Sequence, residues 1–475
     1  MKKGELTIQP IKVATIRQVL RGVLLHGSED WAVKQVIDYN RHELTAPNTL
    51  LFVRRSDTID WNELQKKAPI VIISDKTELE LKPPFPEITV IKVRSALQAY
   101  WQFVAYYRNL FELPVVAITG TCGKTTTKEM LKYILSKEMA VQTSVSSKNE
   151  PRQSLPYLMG INQQTKAAVF ELGLGNTGNI KHQCMIYQPT IGVITNIGVH
   201  HLDGCNDLEG YIKAKAEIVD GLKPDGTLII NADDENTKRI QLKAFKGTIV
   251  TFGIHKKADL HATEITFTPR GMKFNVHVDN KKYQASIPSF GEHQVYNVLA
   301  VLAVIRAMNL SVQKAILRLR TFEQMARHLQ FSKGIGGSTI IDDTWTNNPT
   351  SIEAALKVLN ELGKNKKVIV VLGDINRLGR FERKYHREVG TLVAKQSIHT
   401  LVTIGSKAQE IAKQALADGT KAKVHSFQKI EGVLDLLKPQ LDSDTLLLIK
   451  GPMSSREMIE FAEQLQQNTN KRRTR

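Results

Sequence analysis

Short apolar runs alternate with longer amphipathic segments over most of the chain. Up to about Leu113, runs such as "TLLFV" and "IVIIS" predict strands of a small α/β unit. From Val115 onward, "VVAIT", "AAVFELG", "TIGVITNIG" and "GTLIINAD" alternate with helical patterns. That order predicts a mainly parallel sheet with helices on its faces. "EITFTPRGMKFNVHVDNKKYQASIP" reads as a β-rich insert, and "HQVYNVLAVLAVIRAMNL" as a long helix. The pattern restarts at "STIIDDTWTNNP" and runs through "KKVIVVLGD", "IHTLVTIG" and "DTLLLIKGP", a second parallel α/β unit. The expected fold class is therefore α/β, in three domains over residues 1–113, 114–328 and 329–475. No repeat of solenoid period is present.

Composition adds limits. The chain has 475 residues, 42% hydrophobic and 24% charged, which fits a multidomain globular protein. No apolar run approaches the ~18–20 residues that span a bilayer. The start, "MKKGELTIQP", carries the charges of a signal peptide without its apolar core, so a cytoplasmic protein is expected, with no membrane insertion. Cys122, Cys184 and Cys205 form no metal-spaced cluster and suit a reducing compartment. The formal net charge of +18 fits either nucleic acid or small anionic substrates as partners. The tail "NTNKRRTR" supplies part of it and reads as a solvated end. No zinc-finger spacing, aromatic RNA motif or basic heptad accompanies it, so no nucleic-acid partner is expected.

The chemistry begins at "VVAITGTCGKTTTKEML". A glycine-rich turn between strand and helix leaves backbone N–H groups free to converge on an anion at the positive end of the helix dipole. The loop is Gly120-Thr121-Cys122-Gly123-Lys124-Thr125, followed by Thr126. Lys124 adds a mobile charge for β- and γ-phosphates, and the Thr125 hydroxyl can ligate Mg²⁺. The usual G-x-x-x-x-G-K-[ST] spacing would place glycine where this chain has Ile118, so the loop departs from that pattern.

Other candidates stand on their own chemistry. Glu171 ends an apolar run, at the strand tip where ligands bind in parallel sheets, and is a hard oxygen donor for Mg²⁺; a salt-bridged edge residue is the plainer alternative. His200 and His201 follow the strand "IGVIT" and, taken alone, fit surface loop residues. In "YIKAKAEIVDGL", Lys215 shares a helical face with Tyr211, Ile218 and Leu222. Lysine is rarely placed on a buried stripe. Burial lowers its pKa, and the neutral amine can take up CO₂ as a carbamate; snorkelling to the surface is the alternative. His293 and Asn297 open a helix, and both also fit its exposed face.

The loop "TGTCGKTTTKEM" resembles the ATP loop of the Mur ligases, the ATP-dependent amide-forming enzymes of peptidoglycan precursor synthesis; the folylpolyglutamate synthases share a similar loop. "ELG" at 171–173, "TNIGVHHLDG" at 195–204, "AKAEI" at 214–218, "GEHQVYN" at 291–297, "IDDTWTNNPTSIEAAL" at 341–356 and "VLGDINRLG" at 371–379 follow in the family's order. As a set they are most similar to the MurF branch, which adds D-alanyl-D-alanine to a UDP-muramoyl-tripeptide. The resemblance runs from about Val115 to the C-terminus. It implies an N-terminal acceptor domain, a central P-loop ATPase and a C-terminal Rossmann-like domain that brings the amine. It also implies an acyl-phosphate intermediate and release of ADP. The partners it implies are a nucleotide-linked or other carboxylate acceptor and an amino acid or dipeptide amine; a monomer is expected. It assigns Glu171, His201 and a carbamylated Lys215 to the metals, with Lys124, Lys215 and His201 catalytic. It puts Asn297 near the adenine, and Arg327 and Asp343 on the nucleotide from the interdomain and third-domain sides. Lys450 matches a family lysine-glycine turn.

The match also breaks in places. Where the MurF motif reads D-x-Tyr-Asn-Ala-Asn-Pro, this chain has Asp343-Thr344-Trp345-Thr346-Asn347-Asn348-Pro349. Arg377 replaces an acid after "LGD". The acceptor-side segment is "SKNEPRQSLP" at 147–156, and the first domain keeps only the trace "DYNRHELTAPNTLLFV". The phosphoryl chemistry is thus expected intact. A paralogue that ligates another amino acid or peptide, with weak or no activity on the MurF substrate pair, is the alternative. A nucleic-acid-stimulated P-loop ATPase explains the charge but not a lysine on an apolar face.

Overall fold

The computed structural model describes residues 6–37 and 46–466. The beginning of the "DYNRHELTAPNTLLFV" trace and the basic tail lie outside them. Three sheets follow one another along the chain.

The first sheet holds β1 (Leu6–Lys12), β2 (Val23–His26), β3 (Ala32–Val36), β4 (Thr49–Val53), β5 (Ile70–Ser74) and β6 (Ile88–Lys92), in the order β1-β3-β4-β5-β6-β2. β3 to β6 are parallel, and β1 and β2 close the edges antiparallel. The apolar runs at β4 and β5 are buried throughout, as strands covered on both faces must be. Helix Ala96–Asn109 ties this sheet to the next. Tyr107 hydroxyl donates to the Ile161 carbonyl at 2.8 Å, and the buried Arg108 donates to the Tyr187 carbonyl at 2.7 Å.

The central sheet has nine strands: β7 (Val115–Thr119), β8 (Val141–Thr143), β9 (Ala167–Glu171), β10 (Ile191–Ile194), β11 (Thr227–Asn231), β12 (Thr248–Gly253), β13 (Leu260–Thr268), β14 (Gly271–Val278) and β15 (Lys281–Ile287). Their order is β15-β14-β13-β12-β11-β10-β7-β9-β8. β8 through β13 are joined by parallel pairings, and β14 and β15 add antiparallel. The β-rich stretch is therefore no separate insert. It extends the central sheet, because β13 pairs with β12 before its hairpins turn back. Helices Lys124–Leu135 and Glu292–Ala307 pack one face and share a core with β13 to β15. The second of these is apolar nearly all round and buried from Val298 to Ile305. Helices Asn179–Tyr187 and Leu208–Gly221 cover the opposite face.

Strand order reverses beside β7: β9 lies on one side and β10 on the other. The loops at the carboxyl ends of β7, β9 and β10 thus open at a topological switch point, where ligands bind in open α/β sheets.

The third sheet holds β16 (Gln330–Lys333), β17 (Thr339–Asp343), β18 (Lys367–Gly373), β19 (Thr400–Ile404), β20 (Lys423–Phe427) and β21 (Thr445–Lys450), ordered β16-β17-β21-β18-β19-β20. All pairings are parallel except β16 with β17. Asp343 and Lys450 are register partners at the carboxyl ends of β17 and β21. Among the described residues no helix is long and apolar enough to cross a membrane.

Candidate active site

The loop after β7 turns through Gly120 at φ +144° and Gly123 at φ +81°, conformations that L side chains rarely adopt. Space forbids a side chain as well. A Cβ on Gly120 would lie 1.9 Å from Thr195 Oγ1, and one on Gly123 would lie 2.2 Å from Asn297 Oδ1. Residues after β10 brace the loop. Thr121 N–H donates to the Asn196 carbonyl at 2.9 Å and Cys122 N–H to Asn196 Oδ1 at 3.1 Å. The Cys122 carbonyl accepts from Thr195 Oγ1 at 2.6 Å and from Asn196 Nδ2 at 3.1 Å. Helix Lys124–Leu135 starts with Gly123 as its cap, so its first N–H groups face the loop's concavity. Lys124 Nζ arches back over the loop to the Thr121 carbonyl at 3.2 Å. Thr126, in the first turn, is buried.

Thr125 and Glu171 meet here. Thr125 Oγ1 donates to Glu171 Oε2 at 2.9 Å, and Asn149 Nδ2 donates to Oε1 at 2.6 Å. Glu171 is 2% exposed and its carboxylate is held by Thr125 and Asn149 rather than by a cation, unlike a salt-bridged edge residue. A hydroxyl and one carboxylate beside a phosphate loop are the hard oxygen donors that Mg²⁺ takes alongside substrate phosphates. Among the described residues no group of three or more His, Cys, Asp or Glu side chains forms a ready metal cage.

Behind the loop, Lys215 is 1% exposed on the inner face of helix Leu208–Gly221, with Tyr211 and Ile218. It does not snorkel. Its Nζ donates to Thr119 Oγ1 at 3.1 Å and lies 5.2 Å from the Tyr211 ring centroid. Burial, then the Lys124 charge, drives its pKa far below the ordinary lysine value. Tyr211 hydroxyl meets Thr121 Oγ1 at 3.1 Å, linking lysine helix and loop. His200 and His201 lie with ring centroids 4.0 Å apart. Burial pushes His200 down to about 3 and His201 further still, with Lys215, Lys124 and Arg377 adding to it. His201 Nδ1 is buried without a hydrogen-bond partner. A neutral imidazole with an orphaned nitrogen fits a metal ligand.

Asn297 is buried against the loop rather than on an exposed helix face: its Oδ1 accepts from Thr127 Oγ1 at 3.5 Å, and its Nδ2 donates to Gln294 Oε1 at 3.2 Å. His293 is also held neutral by burial, down to about 4. A second cluster comes from the third domain. Asp343 accepts from Leu329 N–H at 3.2 Å and pairs with the fully buried Lys450, whose Nζ also donates to the Thr346 carbonyl at 2.7 Å. The Arg327 guanidinium stacks over the Trp345 ring at 4.5 Å, and His328 stacks on the same ring at 5.3 Å.

The two clusters touch across the domain boundary. Cys122 Sγ donates to Asn348 Oδ1 at 3.6 Å, and Val199 N–H to Thr350 Oγ1 at 3.2 Å. Arg377 Nε pairs with Asp203 at 3.0 Å, and Leu202 N–H donates to the Arg377 carbonyl at 2.8 Å. Lys124, Thr125 and Glu171 thus form one group, Lys215 and the histidines lie behind it, and Arg327 and Asp343 stand on the facing domain. Thr195, Asn196 and Asn348 also shape the site, and Tyr211 does more than share a helical face with Lys215. The one available signal was their place inside the quoted motifs.

Fold and site together define a P-loop enzyme of three α/β domains, the third clasped over the phosphate loop of the second. Residues 118–305 match the Mur ligase middle domain, and residues 327–453 match the Mur ligase, glutamate ligase domain. The chain belongs to the Mur ligase family. It is 32% identical over 339 residues to the UDP-N-acetylmuramoyl-tripeptide–D-alanyl-D-alanine ligase of Buchnera aphidicola subsp. Acyrthosiphon pisum, covering 71% of this chain and 73% of that one. The crystal structure of MurF from Acinetobacter baumannii superposes with a TM-score of 0.78 at 26% identity, over 96% of this chain and 99% of that one. MurF ligase from Thermotoga maritima in complex with ADP shares the fold, with a TM-score of 0.71 at 20% identity over 84% and 90%.

Proposed function

We propose that this chain joins D-alanyl-D-alanine to UDP-N-acetylmuramoyl-tripeptide at the expense of ATP, releasing ADP and phosphate. One observation carries the reading: Lys124, the Thr125–Glu171 pair and the buried Lys215 surround a phosphate loop that the third domain touches through Cys122 and Asn348. An acceptor carboxylate oxygen attacks the γ-phosphorus and ADP leaves. The amine nitrogen then attacks the acyl carbon, phosphate departs, and the nitrogen loses its proton to solvent. Lys124 steadies charge on the transferring phosphoryl group. Thr125 and Glu171 would hold Mg²⁺, with His201 and a carbamylated Lys215 at a second position; bound metal neutralises phosphate charge. Closure of the third domain excludes the water that would hydrolyse the acyl phosphate. Asp343 and Arg327 approach the nucleotide from the facing domain, and Asn297 sets the loop. The protein works as a cytoplasmic monomer on this reading.

Hydroxylamine tests the intermediate, since it captures acyl phosphates as hydroxamates. An acceptor hydroxamate should form only with ATP and the tripeptide acceptor together, and with no amine added. ADP release without hydroxamate would contradict the acyl-phosphate route.

A second reading keeps the chemistry and changes the amine. It is favoured by the Arg327–Trp345–His328 stack and by the Arg377–Asp203 clasp, built on Trp345 and Arg377, two positions where the sequence departs from the MurF motifs. Arg377→Glu would set two carboxylates against each other. An exposed pair is worth ~0.2–1 kcal/mol, so KM for the amine should rise several-fold with kcat nearly unchanged. The effect should shrink as salt screens the charges. Steady-state kinetics at low and high ionic strength check this, and a salt-independent wild-type KM in the variant would contradict the clasp.

A further inference from the structure

Lys128 is 0% exposed, yet neither the phosphate loop nor the proposed chemistry uses it. Its Nζ has three acceptors: the Ser144 carbonyl at 2.8 Å, the Ser146 carbonyl, and Glu129 Oε1 at 2.8 Å. Two of its N–H groups donate to backbone carbonyls, and its charge is paired with the neighbouring Glu129 carboxylate. A buried ammonium is tolerated only with such pairing, and removing it would strip the Ser144 and Ser146 carbonyls of the donor they share.

What the lysine grips is the short loop between β8 and the segment leading to helix Ser154–Met159. Both ends of that loop touch Glu171. At one end Ser144 Oγ accepts from the Glu171 N–H at 3.0 Å. At the other, Asn149 Nδ2 donates to Glu171 Oε1 at 2.6 Å, and the Asn149 carbonyl accepts from Gly173 N–H at 2.9 Å. Between them Ser146 is held at φ +49°, a left-handed conformation that a non-glycine residue keeps only where its surroundings enforce it. Lys128 donates to the Ser146 carbonyl, and Lys148 N–H closes the same turn on the Val145 carbonyl at 3.1 Å. The opposite carboxylate oxygen is fixed by Thr125 at 2.9 Å, in the same helix as Lys128.

We infer that Lys128 is a positioning residue for the metal–nucleotide site: it clamps loop 144–149, and through Asn149 it fixes the direction in which the Glu171 carboxylate faces Thr125. This rests on the proposed function, in which Glu171 and Thr125 take the metal. Residues behind metal ligands set ligand orientation, and their loss commonly costs 10–100-fold in metal affinity.

The test uses Mn²⁺ as the probe on the full chain with ADP, its free concentration read by electron paramagnetic resonance. Metal-free ADP affinity is measured in parallel by calorimetry with a chelator present. Lys128→Met should weaken Mn²⁺ binding to the ADP complex by about 10–100-fold and leave metal-free ADP affinity unchanged. A merely structural lysine would move both or neither. Asn149→Ala, at a partly exposed site and with Lys128 intact, should reproduce the Mn²⁺ loss; it decides the matter if Lys128→Met does not fold. Wild-type Mn²⁺ affinity in folded Lys128→Met, or in Asn149→Ala, would overturn the inference alone. No Mn²⁺ uptake by the wild-type ADP complex would overturn the functional reading and the inference with it.

Discussion

Replacing Lys124 by alanine should stop ligation and leave the fold standing. The side chain is partly exposed, and its one hydrogen bond among the described residues runs to the Thr121 carbonyl at 3.2 Å, so no core contact is lost. The loop is held by other groups: Asn196, Thr195, and Asn297 behind Gly123. What goes is the mobile positive charge over the phosphates. A preorganised electrostatic donor of this kind is worth ~3–4 kcal/mol in the transition state, or 10²–10³ in kcat. ADP release should fall by at least that factor, while the thermal melting curve stays within a few degrees of wild type. Wild-type turnover in the folded variant would contradict the phosphoryl-transfer assignment.

Lys215→Ala should be as damaging for a different reason. The amine is buried against Thr119 and Tyr211, and its pKa is driven far down by desolvation. A neutral amine bonds through nitrogen to the carbon of CO₂ and releases one proton, giving an anionic carbamate. Alanine cannot form it, so activity should be lost and excess bicarbonate should not restore it. A small carboxylic acid should restore part, by supplying an anion in the space left by the side chain. Full activity of the variant would defeat the proposal, as would an unmodified Lys215 in a substrate-bound structure. The lysine also leaves a thermodynamic mark. Unfolded, it binds a proton up to the ordinary lysine value near 10.5; folded and unmodified, it does not. Stability should therefore rise with pH through the window between the depressed folded pKa and 10.5. Lys215→Met should lack that component of the slope in denaturation measured across the alkaline range.

The parts of the site that sequence made legible are those where one short segment carries the whole argument. The phosphate loop combines strand, glycines, lysine and helix within a few residues. Lys215 betrays its burial by sharing a helical face with Tyr211 and Ile218. Contacts between distant segments left no such trace. Asn297 presses on Gly123, and Asn348 reaches Cys122, each from far along the chain. Asn297 lies near the start of its helix, where a polar residue fits an exposed face equally well. Lys128, one turn beyond Lys124, has no local sign of burial, because the loop that covers it comes from beyond β8. The fold shows the same division. Parallel strands announced themselves as apolar runs, as in β4 and β5. The joining of β13 to β12, which makes one sheet of two patterns, depends on two residue pairs and has no signature in periodicity. Substitutions at Trp345 and Arg377 were visible as departures from a motif. Their consequences, a stack on Arg327 and a clasp on Asp203, needed the neighbouring elements in place.

The central claim is an amide-forming step driven by ATP on the muramoyl-tripeptide and dipeptide pair. Its most direct test is ADP release by the purified chain with ATP, Mg²⁺, UDP-N-acetylmuramoyl-tripeptide and D-alanyl-D-alanine, with each substrate omitted in turn. Turnover on the order of 10 s⁻¹, about the enzyme median, that requires both substrates and yields the joined pentapeptide is the predicted result. ADP release that stays at the level of ATP alone when both are present would contradict it.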